Sequence, residues 1–325
     1  MIFRVLTHAC SPGGPRGKLS ILIFHRVLPK DDGILNFDVN AVEFKKIIRW
    51  LAKWFNVIAL DQAILKLKEG TLPPRAAAIT FDDGYEDNLS VATPILTDHG
   101  MTATFFVASG YLNGGQMWND TIIESIRHCS LPKLDLVSEG LGHYDLSGPH
   151  KRLIAINKIL KEVKYRASTE RIFLASQIEK LTRVKLNKNL MMTSEQVILL
   201  RKAGMSIGAH TVNHPILAKL SAEDVQLEIQ NNKHFLESLL QERVGLFAYP
   251  NGKPNIDYRL LDAQIVRSLG FDAAVTTAWG VADTHSDLMQ LPRFTPWDRS
   301  SFKFGYRMVK NMLGNSSIRA LQNAD

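Results

Sequence analysis

Two carboxylates stand side by side at Asp82 and Asp83, after the apolar run Ala76–Phe81 and before Gly84. Neighbouring residues leaving a strand point in different directions, so one carboxylate can ligate a cation while the other stays free to accept a proton. Asp-Asp-Gly is also ordinary turn chemistry, and Asp31-Asp32-Gly33, in a polar stretch, reads as no more than that. A second cluster, His210-Thr211-Val212-Asn213-His214, follows the short run Met205–Ala209 and sets two imidazoles four residues apart. Thr211 after the first histidine and Pro215 after the second exclude the helical zinc-protease motif, which needs a glutamate and an unbroken helix. On a strand-to-loop turn, two histidines and one aspartate with open positions suit catalytic Zn²⁺, Co²⁺, Ni²⁺ or Fe²⁺. Two loop histidines satisfied by local hydrogen bonds are the plainer alternative.

Two further polar clusters also follow apolar runs. Tyr249-Pro250-Asn251-Gly252 ends the run Val244–Tyr249; it is a good turn, and its backbone N–H groups could also hold an oxyanion. His25-Arg26 ends the run Leu19–Phe24, where His25 is either structural or an acid/base group. In α/β folds, active sites gather where strands end, and all four clusters occupy that place.

The elements that must position them alternate. Leu19–Phe24, Ala76–Phe81, Thr102–Val107, Met205–Ala209, Val244–Tyr249 and Phe271–Thr276 read as buried strands. Amphipathic helices lie between them. Over 41–55, Phe44, Ile47, Ile48, Leu51 and Phe55 share one face; Thr193 with Gln196 opens a helix that Gly204 ends; Ser221 with Asp224 opens the segment 222–241. This alternation predicts an α/β fold with a parallel sheet, either a barrel or an open sheet. Residues 113–192 break the rhythm with helical patterns over 150–164 and 170–183, and read as a helical insertion in a single domain spanning 1–325. Of the 325 residues, 45% are hydrophobic, the net charge is +7, and no apolar run is long enough to span a membrane. The basic residues are spread out with no tract interleaved with aromatics, which argues against nucleic-acid binding. Two cysteines, Cys10 and Cys129, are too few for a disulfide framework.

The stretches TFDDGYEDN (80–88), HTVNH (210–214), FAYPNG (247–252) and ILIFHRVLP (21–29) resemble those of the polysaccharide deacetylases, the NodB-homology family of metal-dependent carbohydrate esterases. The motifs span about residues 19–295 and resemble most a subgroup with H-R-V and Y-P-x-G. The resemblance implies a distorted (β/α) barrel of about seven strands. It implies Asp83, His210 and His214 as ligands of a divalent cation, zinc first, with cobalt or nickel as alternatives. It makes Asp82 the base, and places the oxyanion near the backbone of Tyr249, Pro250, Asn251 and Gly252. Two positions depart from the commonest pattern: Phe247 or Ala248 replaces an arginine, and Leu291-Pro292-Arg293-Phe294 lacks the late histidine. Arg293 is therefore expected to contact Asp82, with His25 supplying or relaying the proton and His285 as fallback. Trp118, at the head of the insertion, is either packing core or a wall of the sugar groove.

The expected activity is removal of N-acetyl groups from an N-acetylhexosamine-containing polysaccharide or its lipid-linked precursor. The alternatives are an inactive glycan-binding protein of the same fold and an amidase acting on a small non-sugar amide. The opening residues MIFRVLTHACSPGGPRGK are too broken by Arg4 and His8 for a signal peptide. A cytoplasmic or membrane-associated location follows as the expectation; the oligomeric state is left open.

Overall fold

The computed structural model describes residues 2–34, 38–187, 189–314 and 319–321 and divides into two compact units. The first comprises Met1–Lys30, Asp38–Leu112 and Met192–Asp325. The six expected strands are all present in it: β1 (Ser20–Phe24), β2 (Ala76–Phe81), β3 (Thr104–Val107), β4 (Ser206–Ala209), β5 (Leu246–Ala248) and β6 (Ala273–Val275). They pair in parallel in that order, and Asn56–Val57 adds a short strand beside the start of β2. The fold is α/β, with the sheet curled into a half-barrel.

Residues 291–294 bring the ends of the curl together. Leu291 pairs with β6 through its N–H to Ala274 O and its carbonyl from Thr276 N; Phe294 pairs with β1 through its N–H to Ile21 O and its carbonyl from Ile23 N. Pro292, which has no N–H to give, falls between the two bonded residues.

Strand alternation sorts side chains into two layers. Ile21, Ala76, Ala78, Phe106, Leu246, Ala248, Ala273 and Val275 form one apolar cluster, with the helix Leu60–Lys68 packed into it. Leu22, Phe24, Ala77, Ile79, Phe81, Phe105, Val107, Phe247 and Tyr249 face the other way, into the layer shared with the remaining helices of this unit. Ala41–Trp54 turns Phe44, Ile47, Ile48 and Leu51 into that layer, and both Asn40 with Glu43 and Thr193 with Gln196 form complete capping boxes. Burying one such Leu, Ile or Phe side chain contributes about 1.5–3 kcal/mol, so the layering is strongly specified. Because the series 76, 78, 80, 82 shares one face, Thr80 and Asp82 continue the inner layer of β2.

The second unit comprises Asp31–Phe37 and Asn113–Met191; it contains the helices expected of the insertion over 113–192, together with a short hairpin and an apolar cluster of its own. Helices Trp118–His128, Pro149–Val163 and Ser168–Thr182 bury Ile122, Ile126, Ile156, Ile159, Leu174 and Ile178 against one another. An antiparallel hairpin, Lys133–Leu136 with Gly142–Asp145, adds Leu134, Leu136 and Tyr144 to that core. The apolar residues of these four-residue strands alternate with charged ones, a signal that a search for continuous apolar runs passes over. Arg152 closes the end of Trp118–His128 by donating to the carbonyls of Ile126 and Arg127.

Candidate active site

Asp83, His210 and His214 meet at the C-terminal ends of β2 and β4. One ligand atom from each lies within 4.8 Å of the others. Asp83 Oδ1 is 3.3 Å from His210 Nε2 and 3.4 Å from His214 Nε2, and the two imidazole centroids are 4.9 Å apart. His210 and Asp83 are buried, while His214 keeps 17% of its side chain exposed and marks the open side.

His210 is held by its other ring nitrogen. Nδ1 lies 2.7 Å from Ala248 O, and a carbonyl can only accept, so Nδ1 carries the proton and Nε2 turns its lone pair toward Asp83. His210 Nε2 and Asp83 Oδ1 are buried without a hydrogen-bond partner. Two lone pairs facing each other at 3.3 Å require positive charge between them, either a second proton on His210 or a cation. Burial pushes the His210 imidazole down, but Asp83 and Asp82 outweigh it and raise it above its usual value. Burial takes His214 down to about 4, leaving it neutral, the form that binds metals. Burial raises Asp83, and the two histidines more than offset this, holding it well below the carboxylate range. The donor set and its orphaned atoms fit a divalent transition metal with open positions.

Backbone strain gathers at the same rim. Asp83 has φ +80°, Thr211 +64°, His214 +48° and Asn251 +59°, all left-handed conformations that L side chains seldom adopt. Such outliers persist where surrounding bonds hold them, and here those bonds are visible. Glu228 accepts from the backbone N–H groups of Val212 and Asn213 at 3.0 and 2.9 Å and from Asn213 Nδ2 at 2.7 Å. Asn232, one turn further along the helix Ala222–Leu240 and fully buried, accepts from His210 N–H at 3.0 Å. Its amide donates to Val107 O at 3.0 Å and Ser109 Oγ at 2.8 Å, tying the end of β4 to the end of β3. Neither Glu228 nor Asn232 emerges from sequence reasoning. The one available signal is that Asn232 occupies an apolar-periodic position, in register with Val225, Ile229 and Leu236. Asn232→Ala orphans His210 N–H and Val107 O, each at roughly 1–3 kcal/mol. The denaturant midpoint should fall accordingly, and an unchanged midpoint would show that this tie is idle.

Asp82 and Arg293 form the second half of the site. Arg293 is fully buried and forks onto Asp82, Nη1 to Oδ1 at 2.7 Å and Nη2 to Oδ2 at 2.6 Å. It also donates to Thr80 Oγ1 at 3.2 Å and from Nε to Thr276 O at 2.8 Å. Burial opposes the Asp82 charge, and Arg293 outweighs it, so the carboxyl sits below its ordinary value.

His25 lies just past the end of β1, exposed at the rim beside Asp82, where Phe24 O accepts from Asp82 N–H and His25 O accepts from Asn88 Nδ2. Asp87 steadies this corner by accepting from Val27 N and from Arg26 Nε at 2.8 Å. Asp38, also unforeseen, is raised by burial to about 6 against the pull of His25 and Arg26. His285 is exposed in a turn that Asp283 closes.

The expected oxyanion turn needs correction. Tyr249 belongs to the outer layer by strand alternation; its ring stacks on Tyr258, its hydroxyl donates to Met289 O, and its N–H pairs with Val275 O. Pro250 has no N–H, and that of Gly252 returns to Pro250 O. Asn251 alone of the four has an N–H without a partner among the described residues. Trp118 packs into the core of the second unit, with the Arg171 guanidinium 5.3 Å over its ring.

A family model described as polysaccharide deacetylase matches residues 69–129 and 147–274. A curated polysaccharide deacetylase homologue, YxkH of Bacillus subtilis (strain 168), is 22% identical over 278 residues, covering 85% of this chain and 70% of that protein. Among solved structures, the Streptococcus pyogenes deacetylase PplD in complex with acetate superposes with a TM-score of 0.60 at 20% identity, covering 91% of this chain and 98% of that one. IcaB from Ammonifex degensii gives 0.57 at 17% identity, covering 89% and 97%. At these identities the structural likeness speaks for the fold.

Proposed function

Because the chain belongs to the polysaccharide deacetylase family, we propose that it is a metal-dependent hydrolase that removes N-acetyl groups from an N-acetylhexosamine-containing polysaccharide or its lipid-linked precursor. The observation that carries this reading is the juxtaposition of an orphaned Asp83/His210 pair, joined by His214, with an Arg-tethered Asp82 on the same strand end. Asp83, His210 and His214 would hold the cation, with zinc favoured by two imidazoles and one carboxylate and cobalt or nickel as alternatives. When bound there, such an ion supplies Lewis acidity to an amide carbonyl and acidifies water.

The chain's own groups do the rest. Asp82, held ionised at the strand end, accepts the proton of the attacking water. Arg293 keeps Asp82 ionised and aimed. Asn251 N–H is free to donate to the oxygen that gains charge as the carbonyl carbon becomes tetrahedral. The C–N bond then breaks, acetate departs, and the sugar amine gains a proton, which His25 supplies or relays.

Acetate release from N-acetylglucosamine oligomers by protein loaded with Zn²⁺ or Co²⁺ tests the assignment. No release from any acetylated glycan at stoichiometric metal would favour a non-catalytic glycan binder. In the same assay, His25→Ala is expected to lower turnover by about 10²-fold, the lower range for a positioned acid. Near-normal turnover at unchanged metal content would remove His25 from the proton path.

A further inference from the structure

Two helices of the first unit, Ile2–Cys10 and Ser301–Leu313, lie side by side, with the Phe3 ring seated against Gly305 and 5.7 Å from the ring of Phe302. Each buries one face and leaves a second apolar stripe in solvent. On the first helix the stripe is Ile2, Val5 and Leu6; on the second it is Phe302, Tyr306 and Leu313, with Val309 half-buried between them. The spacing i, i+4, i+7, i+11 places Phe302, Tyr306, Val309 and Leu313 along a single line. Phe302 is 70% exposed and Leu313 68%, so the stripe is not the margin of a core.

The charge on these helices has one sign. Neither Ile2–Cys10 nor Ser301–Leu313 contains an acidic residue. Lys303, Arg307 and Lys310 run along the flank of the second stripe, and Arg4 lies on the first helix. Arg307 is engaged by Asp298 at 2.6 Å and stacks over Trp297 and Trp279, both about half exposed, while Lys303 and Lys310 are exposed. Among the described residues, no helix is long and apolar enough to cross a membrane.

We propose that this two-helix face docks on an anionic bilayer surface, its apolar stripes entering the interface and its lysines meeting lipid headgroups. An exposed apolar line flanked by lysine, with aromatic residues beside it, is the pattern of a helix lying in the interfacial plane. Apart from Asp298, which is buried against Arg307, the charges named on this face are basic, and that disfavours pairing with a second copy of itself, which would bring like charges together. The proposal does not depend on what the barrel hydrolyses.

Co-sedimentation of the full chain with vesicles of phosphatidylglycerol and phosphatidylcholine in equal parts tests it, with pure phosphatidylcholine vesicles as the comparison. Binding should favour the anionic vesicles and weaken as salt rises. Lys303→Gln and Lys310→Gln should each lower partitioning about fivefold, the equivalent of one surface cation near anionic lipid. Phe302→Ser with Leu313→Ser should remove the remainder while leaving the circular dichroism spectrum unchanged, since both side chains are exposed. Equal binding to neutral vesicles, binding that survives all four substitutions, or no binding at all would overturn the proposal. So would a wild-type dimer dissolved by the same substitutions, which would assign the face to a second copy.

Discussion

Asp83→Ala is expected to lower affinity for a divalent cation by well over the roughly 10–100-fold that loss of an outer-shell partner costs, and to abolish acetate release with it. Asp82→Asn, one residue away, should keep the cation and lose about 10²–10⁴ in turnover. The difference follows from the backbone. Asp82 continues the inner face of β2 and spends both oxygens on Arg293. Asp83, at φ +80°, swings its carboxylate across to His210 and His214, where Oδ1 has no hydrogen-bond partner. Alanine tolerates a φ of +80° less well than aspartate does, so the circular dichroism spectrum and urea midpoint of Asp83→Ala, read beside wild type, separate metal loss from misfolding. Elemental analysis after dialysis, beside the acetate assay, separates the two carboxylates. If Asp83→Ala kept its cation, or Asp82→Asn lost it, the division of labour would be wrong.

That division was only partly legible in the sequence. The strand ends were, because apolar runs closed by polar clusters mark where a parallel sheet delivers its side chains, and β1 to β6 depart from the expected bounds by at most two residues. What the runs could not convey is which face each residue takes once the strand ends. Tyr249 looked like part of the catalytic turn, yet strand alternation turns it outward onto Tyr258, leaving Asn251 as the turn's free donor. The Arg293 contact with Asp82, expected on the family resemblance, is present, but it spans 211 residues and depends on 291–294 bridging β6 to β1, a feature without periodicity that no local pattern encodes. Asn232 and Glu228 were hidden for a related reason: both sit in an ordinary amphipathic helix, and only the fold brings them under the His210–His214 loop. The second unit shows the complementary blind spot, since Leu134, Leu136 and Tyr144 alternate with charged residues and leave no apolar run to find.

The buried Arg293–Asp82 pair carries the other large prediction. Arg293→Ala leaves a carboxylate charge uncompensated inside the sheet, and breaking such a pair from one side costs about 3–5 kcal/mol. The loss should appear as a lower urea midpoint. Adding Asp82→Asn should recover part of it, because the orphaned charge goes with the substitution and the two sites are strongly coupled. Arg293→Lys tests positioning as distinct from stability. A lysine keeps the charge but cannot fork onto both Asp82 oxygens while also reaching Thr80 Oγ1 and Thr276 O, four bonds that the planar guanidinium makes at once. If the fork serves to aim Asp82 at the reacting water, kcat should fall with KM nearly unchanged, since no substrate contact has been removed. If Arg293 only cements the sheet, Arg293→Lys should lose stability and retain kcat in whatever fraction remains folded. A full-rate Arg293→Lys enzyme would therefore sink the positioning role while leaving the metal site untouched.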